Sequence, residues 1–214
     1  THATLAKSVK ETDDDGIARG KRGLKNLCLS YLSALDDAKT FKSVFAQATK
    51  SKNMTDQIAA LAMLAESKSP LRARAFKAFE KKWIKTPTIM DKWLAVQAGA
   101  KRPDTLKTVR ALLKHPAFTL KNPNRISALI GVFAANIAGF HAKDGSGYRF
   151  VADMILQIDP LNPHSAAGLA KNFARWRDYD AARQKKMKAE LKRLAAHRKL
   201  SPNTMEVVGR SLKA

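Results

Sequence analysis

At 214 residues, of which 45% are hydrophobic, the chain is long enough to bury one large core and too apolar to be a disordered tail. Its 40 Lys and Arg outweigh 18 Asp and Glu, a net charge of +22; this suits nucleic acid or an acidic protein surface, yet the basic residues are spread over almost every segment and form no single dense stripe. The single cysteine, Cys28, excludes an intrachain disulfide and argues against a Cys-based zinc site; no apolar run approaches the ~18 residues that span a bilayer, and Thr1-His2-Ala3-Thr4 lacks the charged and apolar regions of a signal peptide.

Residues 1–20, with the break Asp13-Asp14-Asp15-Gly16, read as a frayed lead-in, and residues 21–214 as a single domain. From there the apolar spacing is helical. Leu24, Leu27, Cys28, Tyr31, Leu32 and Leu35 fall on one 3.6-residue stripe, with Cys28 expected as a small buried apolar residue. Phe76, Phe79 and Trp83 repeat the pattern. So do Ile126, Leu129, Ile130, Phe133, Ile137 and Phe140, then Tyr148, Val151, Ile155 and Ile158. Met187, Leu191 and Leu194 make a narrower stripe opposite Lys185, Lys188 and Lys192. No convincing run of alternating β-branched residues is present.

Helix starts are marked by a capping residue followed by proline: Ser69-Pro70, Thr86-Pro87, Asn122-Pro123, Asn162-Pro163 and Ser201-Pro202. The polar side chain accepts a first-turn N–H, and proline at the first helical position loses no needed donor. With breaks at Asp144-Gly145-Ser146-Gly147 and Asp178-Tyr179-Asp180, starts fall at about 70, 87, 103, 123, 146, 163, 180 and 202. Two helices then occupy ~35–45 residues, the period of armadillo or HEAT repeats. The expected fold is an all-α superhelix of about ten to eleven antiparallel helices.

Candidate chemistry is sparse. The histidines His2, His115, His141, His164 and His197 contain no H-E-x-x-H, and no two share an i, i+4 face that would aim two imidazoles at one zinc ion. Gly145-Ser146-Gly147 precedes a helix but follows no strand and has no Walker lysine, so an interhelical turn is expected over a phosphate loop. The basic C-terminal segment from residue 179 has little aromatic interleaving and reads as a solvated face.

Several ordered motifs carry a resemblance: Asn53-Met54-Thr55-Asp56, Met90-Asp91-Lys92-Trp93, His115-Pro116-Ala117-Phe118, Asn122-Pro123-Asn124-Arg125, the run from Phe140 to Phe150, Leu161-Asn162-Pro163, and Arg177 to Gln184. Over residues 20 to 212 the chain resembles the C-terminal domain of bacterial aminopeptidase N, a family of zinc metallopeptidases. The resemblance implies a cytoplasmic hydrolase that removes N-terminal residues from peptides, with its catalytic residues and zinc in upstream domains of the same polypeptide. It implies no catalytic residue, metal ligand or cofactor in this chain; from the sequence itself, the lack of a spanning apolar run argues against a membrane partner, and the spread of basic residues disfavours nucleic acid. The role it implies is to close the internal cavity over the active site and restrict the peptides that enter. In familiar members the N-P motif continues with glutamine, and arginine follows one turn later, both reaching toward the substrate cavity. Here those positions are His164 and Gly168, the expected cavity-lining residues. Asn162 is expected as an N-cap and Arg125 as a packed helix-start residue. From the residues alone, a basic helical-repeat module that binds nucleic acid, or a protein-interaction scaffold, stays open as an alternative.

Overall fold

Capped prolines start helices where the sequence places them. In the computed structural model, which describes residues 1–10, 12–13 and 15–213, Asn122 Oδ1 accepts from the Asn124 N–H at 2.9 Å and Asn162 Oδ1 from Ser165 at 2.9 Å. Ser69 Oγ accepts from Leu71 at 3.2 Å and Ser201 Oγ from Thr204 at 3.4 Å, and a helix begins at Pro87. Every expected start from 70 onward lies within two residues of an observed one. Among the described residues the regular structure is helical throughout, with no strand, and no helix is long and apolar enough to cross a membrane. Of the break Asp13-Asp14-Asp15-Gly16, Asp14 lies outside the described residues.

The chain divides into two compact units, residues 1–96 and 97–214. The first holds α1 (His2–Lys7), α2 (Gly16–Ser33), α3 (Ala38–Lys50), α4 (Met54–Glu66), α5 (Leu71–Trp83) and most of α6 (Pro87–Gly99). Its core is built from Val44, Ala60, Leu61, Leu64, Met90 and Leu94, all fully buried. Two tryptophans are tied in by their indole N–H groups, Trp83 to Gln57 Oε1 at 3.2 Å and Trp93 to the Phe76 carbonyl at 3.1 Å.

Helix α2 is oriented against expectation. Its buried face is Ala18, Arg22, Lys25, Asn26 and Leu29, whereas Leu24, Leu27, Tyr31, Leu32 and Leu35 are exposed and Cys28 is only half-buried. The cause is Asp56 of α4, which is buried and accepts from Lys25 Nζ at 2.5 Å and Asn26 Nδ2 at 2.9 Å. Arg22 Nε stands 3.9 Å from the same carboxylate, and Arg22 Nη2 donates to the Lys10 and Asp13 carbonyls at 3.0 Å each. Gln47 of α3 completes the network through Asn26 Oδ1 and the Asp56 carbonyl. A charged group taken out of water must find partners, and this one finds them only with the polar side of α2 inward.

The second unit holds α7 (Thr105–Leu112), α8 (Pro123–Ile126), a π-helical turn (Ser127–Gly131), α9 (Val132–Ala135), α10 (Ile137–Phe140), α11 (Ser146–Ile158), α12 (Pro163–Ala170), α13 (Ala181–Ala195) and α14 (Pro202–Lys213). The stripe from Ile126 to Phe140, expected as one helix, is broken twice. The π turn inserts a residue and shifts the register. Asn136 then adopts an extended conformation, caps α10 by accepting from Ala138 and Gly139, and donates to the Ala98 and Ala100 carbonyls. Ile126, Leu129, Ile130, Phe133 and Phe140 remain buried, but Ile137 is turned out and 76% exposed.

Gly145-Ser146-Gly147 is a packed turn. Gly145 has φ +79°, Asp144 Oδ1 accepts from the Ser146 N–H and Oγ, and a Cβ on Gly147 would lie 2.4 Å from the Gly139 carbonyl oxygen. The last contact is to backbone and cannot swing aside, so Gly147→Ala is expected to destabilise by about 1–3 kcal/mol in urea unfolding. Asp56→Ala strands two buried cations and is expected to cost about 3–5 kcal/mol by the same measurement.

Candidate functional site

The expected site residues, His164 and Gly168, lie on α12. Its start is fixed from three sides. The Asn162 side chain caps it, and the Asn162 N–H donates to the Ile158 carbonyl at 2.8 Å. Asp159, buried at the end of α11, accepts from the Ser201 N–H at 2.7 Å, Ser201 Oγ at 2.6 Å and Thr204 Oγ1 at 2.5 Å, tying the start of α14 to the same corner. The inner face of α12 is Ala166, Ala167, Leu169 and Ala170, small enough for close packing against α11 and α14.

This leaves His164 and Gly168 exposed, one turn apart on the same face. A Cβ built on Gly168 meets nothing within 4 Å, so glycine is required there neither by packing nor by a positive φ, and the helix has room for a longer side chain. Lys171, one turn further on, is exposed as well. The structure therefore places both residues together, on a rigid support and facing outward. Asn162 is the N-cap it was expected to be, and Arg125 is buried at the end of α8.

A second cluster had no signal at the level of motifs, because its members come from four segments. His141 stacks on Tyr179 with ring centroids 4.1 Å apart, and its Nδ1 lies 2.8 Å from Tyr148 Oη. Phe140 meets His141, Tyr148 and Phe173 edge to face. Arg183 Nε donates to the His141 carbonyl at 3.1 Å. An open cavity of about 380 Å³ lies alongside, lined by Ile137, Lys143, Tyr179 and Arg183 among others. Burial, and then the Arg183 charge, hold the His141 imidazole below its usual value of 6.5. Burial pushes the Tyr148 phenol up to about 12. Both groups are kept neutral, which suits an aromatic packing cluster better than proton transfer near neutral pH.

Among the described residues no group of three or more His, Cys, Asp or Glu side chains is placed to hold a metal ion, so these residues do not fit a zinc site. The histidines stay separate, His141 in the aromatic stack and His164 exposed on α12.

The depressed His141 value has a pH consequence. The unfolded chain takes up a proton near 6.5 and the folded chain only at lower pH. The stability that the neutral ring contributes is complete above 6.5 and is lost as pH falls through that value toward the folded one. His2, also lowered by burial, acts in the same direction. Urea midpoints measured between pH 7.5 and 5 are expected to fall, and His141→Gln to flatten that fall without abolishing it.

The family described as a domain of unknown function with ARM repeats (DUF3458_C) matches residues 1–213. The aminopeptidase N of Caulobacter vibrioides is 38% identical over 203 residues, covering 94% of this chain and 24% of the relative. That of Escherichia coli is 39% identical over 193 residues, covering 90% and 22%. Among solved structures, the aminopeptidase A of Legionella pneumophila, determined in complex with aspartic acid, superposes with a TM-score of 0.87 at 34% identity, over 94% of this chain and 25% of that one. The chain thus spans about a quarter of the length of the relatives it matches.

Proposed function

Because this chain belongs to the family of helical ARM-repeat domains that forms the C-terminal part of bacterial aminopeptidase N, we propose that it acts as the wall of a catalytic chamber and is not itself the catalyst. The parent polypeptide, in this reading, is a cytoplasmic zinc aminopeptidase that removes N-terminal residues from peptides. Its zinc belongs to the part of the relatives' length that this chain does not span, and no step of this domain's role passes through the metal. The domain closes the cavity over the active site and admits peptides by size and shape. The observation that carries the reading is that nearly the whole chain aligns with only a quarter of each aminopeptidase N.

His164 and Gly168 are the cavity-lining positions in this proposal. Their support is the anchoring of α12, which holds both on a helix rather than a mobile loop. Glycine at 168 leaves open space and no charge where familiar members present an arginine. The parent's cavity is then wider at this point, with the His164 imidazole as the polar contact.

The cheapest test is the reading frame upstream of Thr1. It is expected to encode H-E-x-x-H with a downstream glutamate, and a frame without them overturns the assignment. In the complete parent, Gly168→Arg is expected to raise KM severalfold for longer peptides with little change in kcat, because it alters access and binding without touching the chemical step. The purified 214-residue chain is expected to hydrolyse no aminoacyl substrate. Stoichiometric zinc in that chain, or a KM indifferent to both Gly168→Arg and His164→Ala, contradicts the proposal.

A further inference from the structure

An amphipathic helix on a soluble protein normally turns its apolar stripe to the core and its charges to water. Helix α2 does the reverse. Ile17, Tyr31 and Leu35 are 73%, 73% and 71% exposed, and Leu24 and Leu27 are 48% and 52% exposed. At 3.6 residues per turn the four on the helix, Ile17, Leu24, Leu27 and Tyr31, fall on one continuous face opposite the buried Arg22, Lys25 and Leu29, and Leu35 follows just beyond the helix end. Six of the nine exposed large hydrophobics among the described residues lie on α2 or at its C-terminal end. The helix cannot relieve this by turning over, because rotation would pull Lys25 and Asn26 off Asp56 and leave a carboxylate buried without partners.

Two glycines add an independent observation. Gly20 and Gly23 lie on or beside the same outward face, and a Cβ on either meets nothing within 4 Å. Glycine inside a helix is costly relative to alanine, and no contact within this chain requires it at these positions. What glycine provides there is room for another backbone to come close.

We propose that the outward face of α2 is a docking surface for the rest of the aminopeptidase N polypeptide, which meets it with an apolar patch rimmed by acidic side chains. This rests on the function proposed above. The relatives supply the occupant, since about three quarters of their length lies outside the region this chain spans. Charge supplies its chemistry. The chain carries +22, and Lys21 is exposed beside the stripe, so an acidic rim is attracted to this face. The same charge disfavours a second copy of this chain as the occupant, because two molecules of +22 would repel one another across the contact.

Hydrogen exchange in the complete parent and in the 214-residue chain tests the proposal. Amides of residues 17–35 are expected to exchange at least about 10-fold more slowly in the parent. Alkylation of Cys28, half-buried on the same face, should slow similarly. The double variant Leu27→Asp/Tyr31→Asp is expected to restore fast exchange in the parent. Because both side chains are exposed, it should leave the thermal midpoint of the 214-residue chain unchanged. Equal rates in parent and chain, in a parent whose KM responds to Gly168→Arg, overturn the docking surface and leave the proposed function standing. A parent without the zinc motif or aminopeptidase activity overturns that function as well. Sedimentation of the 214-residue chain as a dimer that the double variant disperses assigns the face to a second copy and overturns the proposal.

Discussion

The carboxylate of Asp56 decides how the first unit is assembled. It is buried on α4, and the groups that neutralise it, Lys25 and Arg22, are carried by α2 together with Asn26. A buried ion pair of this kind is weak evidence for net stability, because desolvating the charges offsets much of their attraction. Its effect is on orientation. With one carboxylate and three polar side chains two turns deep on α2, only one rotation of that helix satisfies them all. The exposure of the apolar stripe, and the half-exposure of Cys28 beside it, follow from that rotation.

The second unit uses a buried carboxylate differently. Asp159 is surrounded by hydroxyl and amide donors, the Ser201 N–H and Oγ and Thr204 Oγ1, with no cation among its hydrogen-bond partners in the described residues. Hydrogen bonds to an ionised acceptor are stronger than neutral ones, so a short network can hold three helix ends together. The end of α11, the start of α12 and the start of α14 meet at this corner. At the far end of α14, Trp176 Nε1 and Arg177 donate to the Ser211 and Leu212 carbonyls, which the helix leaves without intrahelical partners. Helix α14 is thus fastened at both ends, and α12 lies against it.

That arrangement explains how a short helix can hold two positions, His164 and Gly168, reliably at the surface. The inner face of α12 is mostly alanine, so the helix sits close to α11 and α14 and has little freedom to roll. His164 and Gly168 are outward because Ala166, Ala167, Leu169 and Ala170 are committed inward. The aromatic stack of His141, Tyr148 and Tyr179 serves the unit in another way, gathering the end of α10, the start of α11 and the segment before α13 around one set of packed rings.

The sequence by itself determined the helical class and the places where helices begin, from 3.6-residue spacing and from capping residues followed by proline. Both signals are local: a cap needs only the next three residues, and a stripe needs only its own helix. Ordered motifs such as Asn162-Pro163 and Arg177 to Gln184 also carried the family, and the resemblance they support is the ground on which His164 and Gly168 are proposed as cavity-lining positions. Tertiary structure alone decided which way each stripe faces. The apolar residues of α2 are a legible stripe in sequence, but periodicity does not say that a carboxylate 31 residues beyond Lys25 will claim the opposite face. Likewise Ile137 keeps the helical spacing of its neighbours. Only the π turn and Asn136, whose side chain reaches carbonyls 36 and 38 residues away, turn it outward. In both cases a buried polar group outweighs an apolar pattern, because leaving it without partners costs more than exposing a leucine or isoleucine.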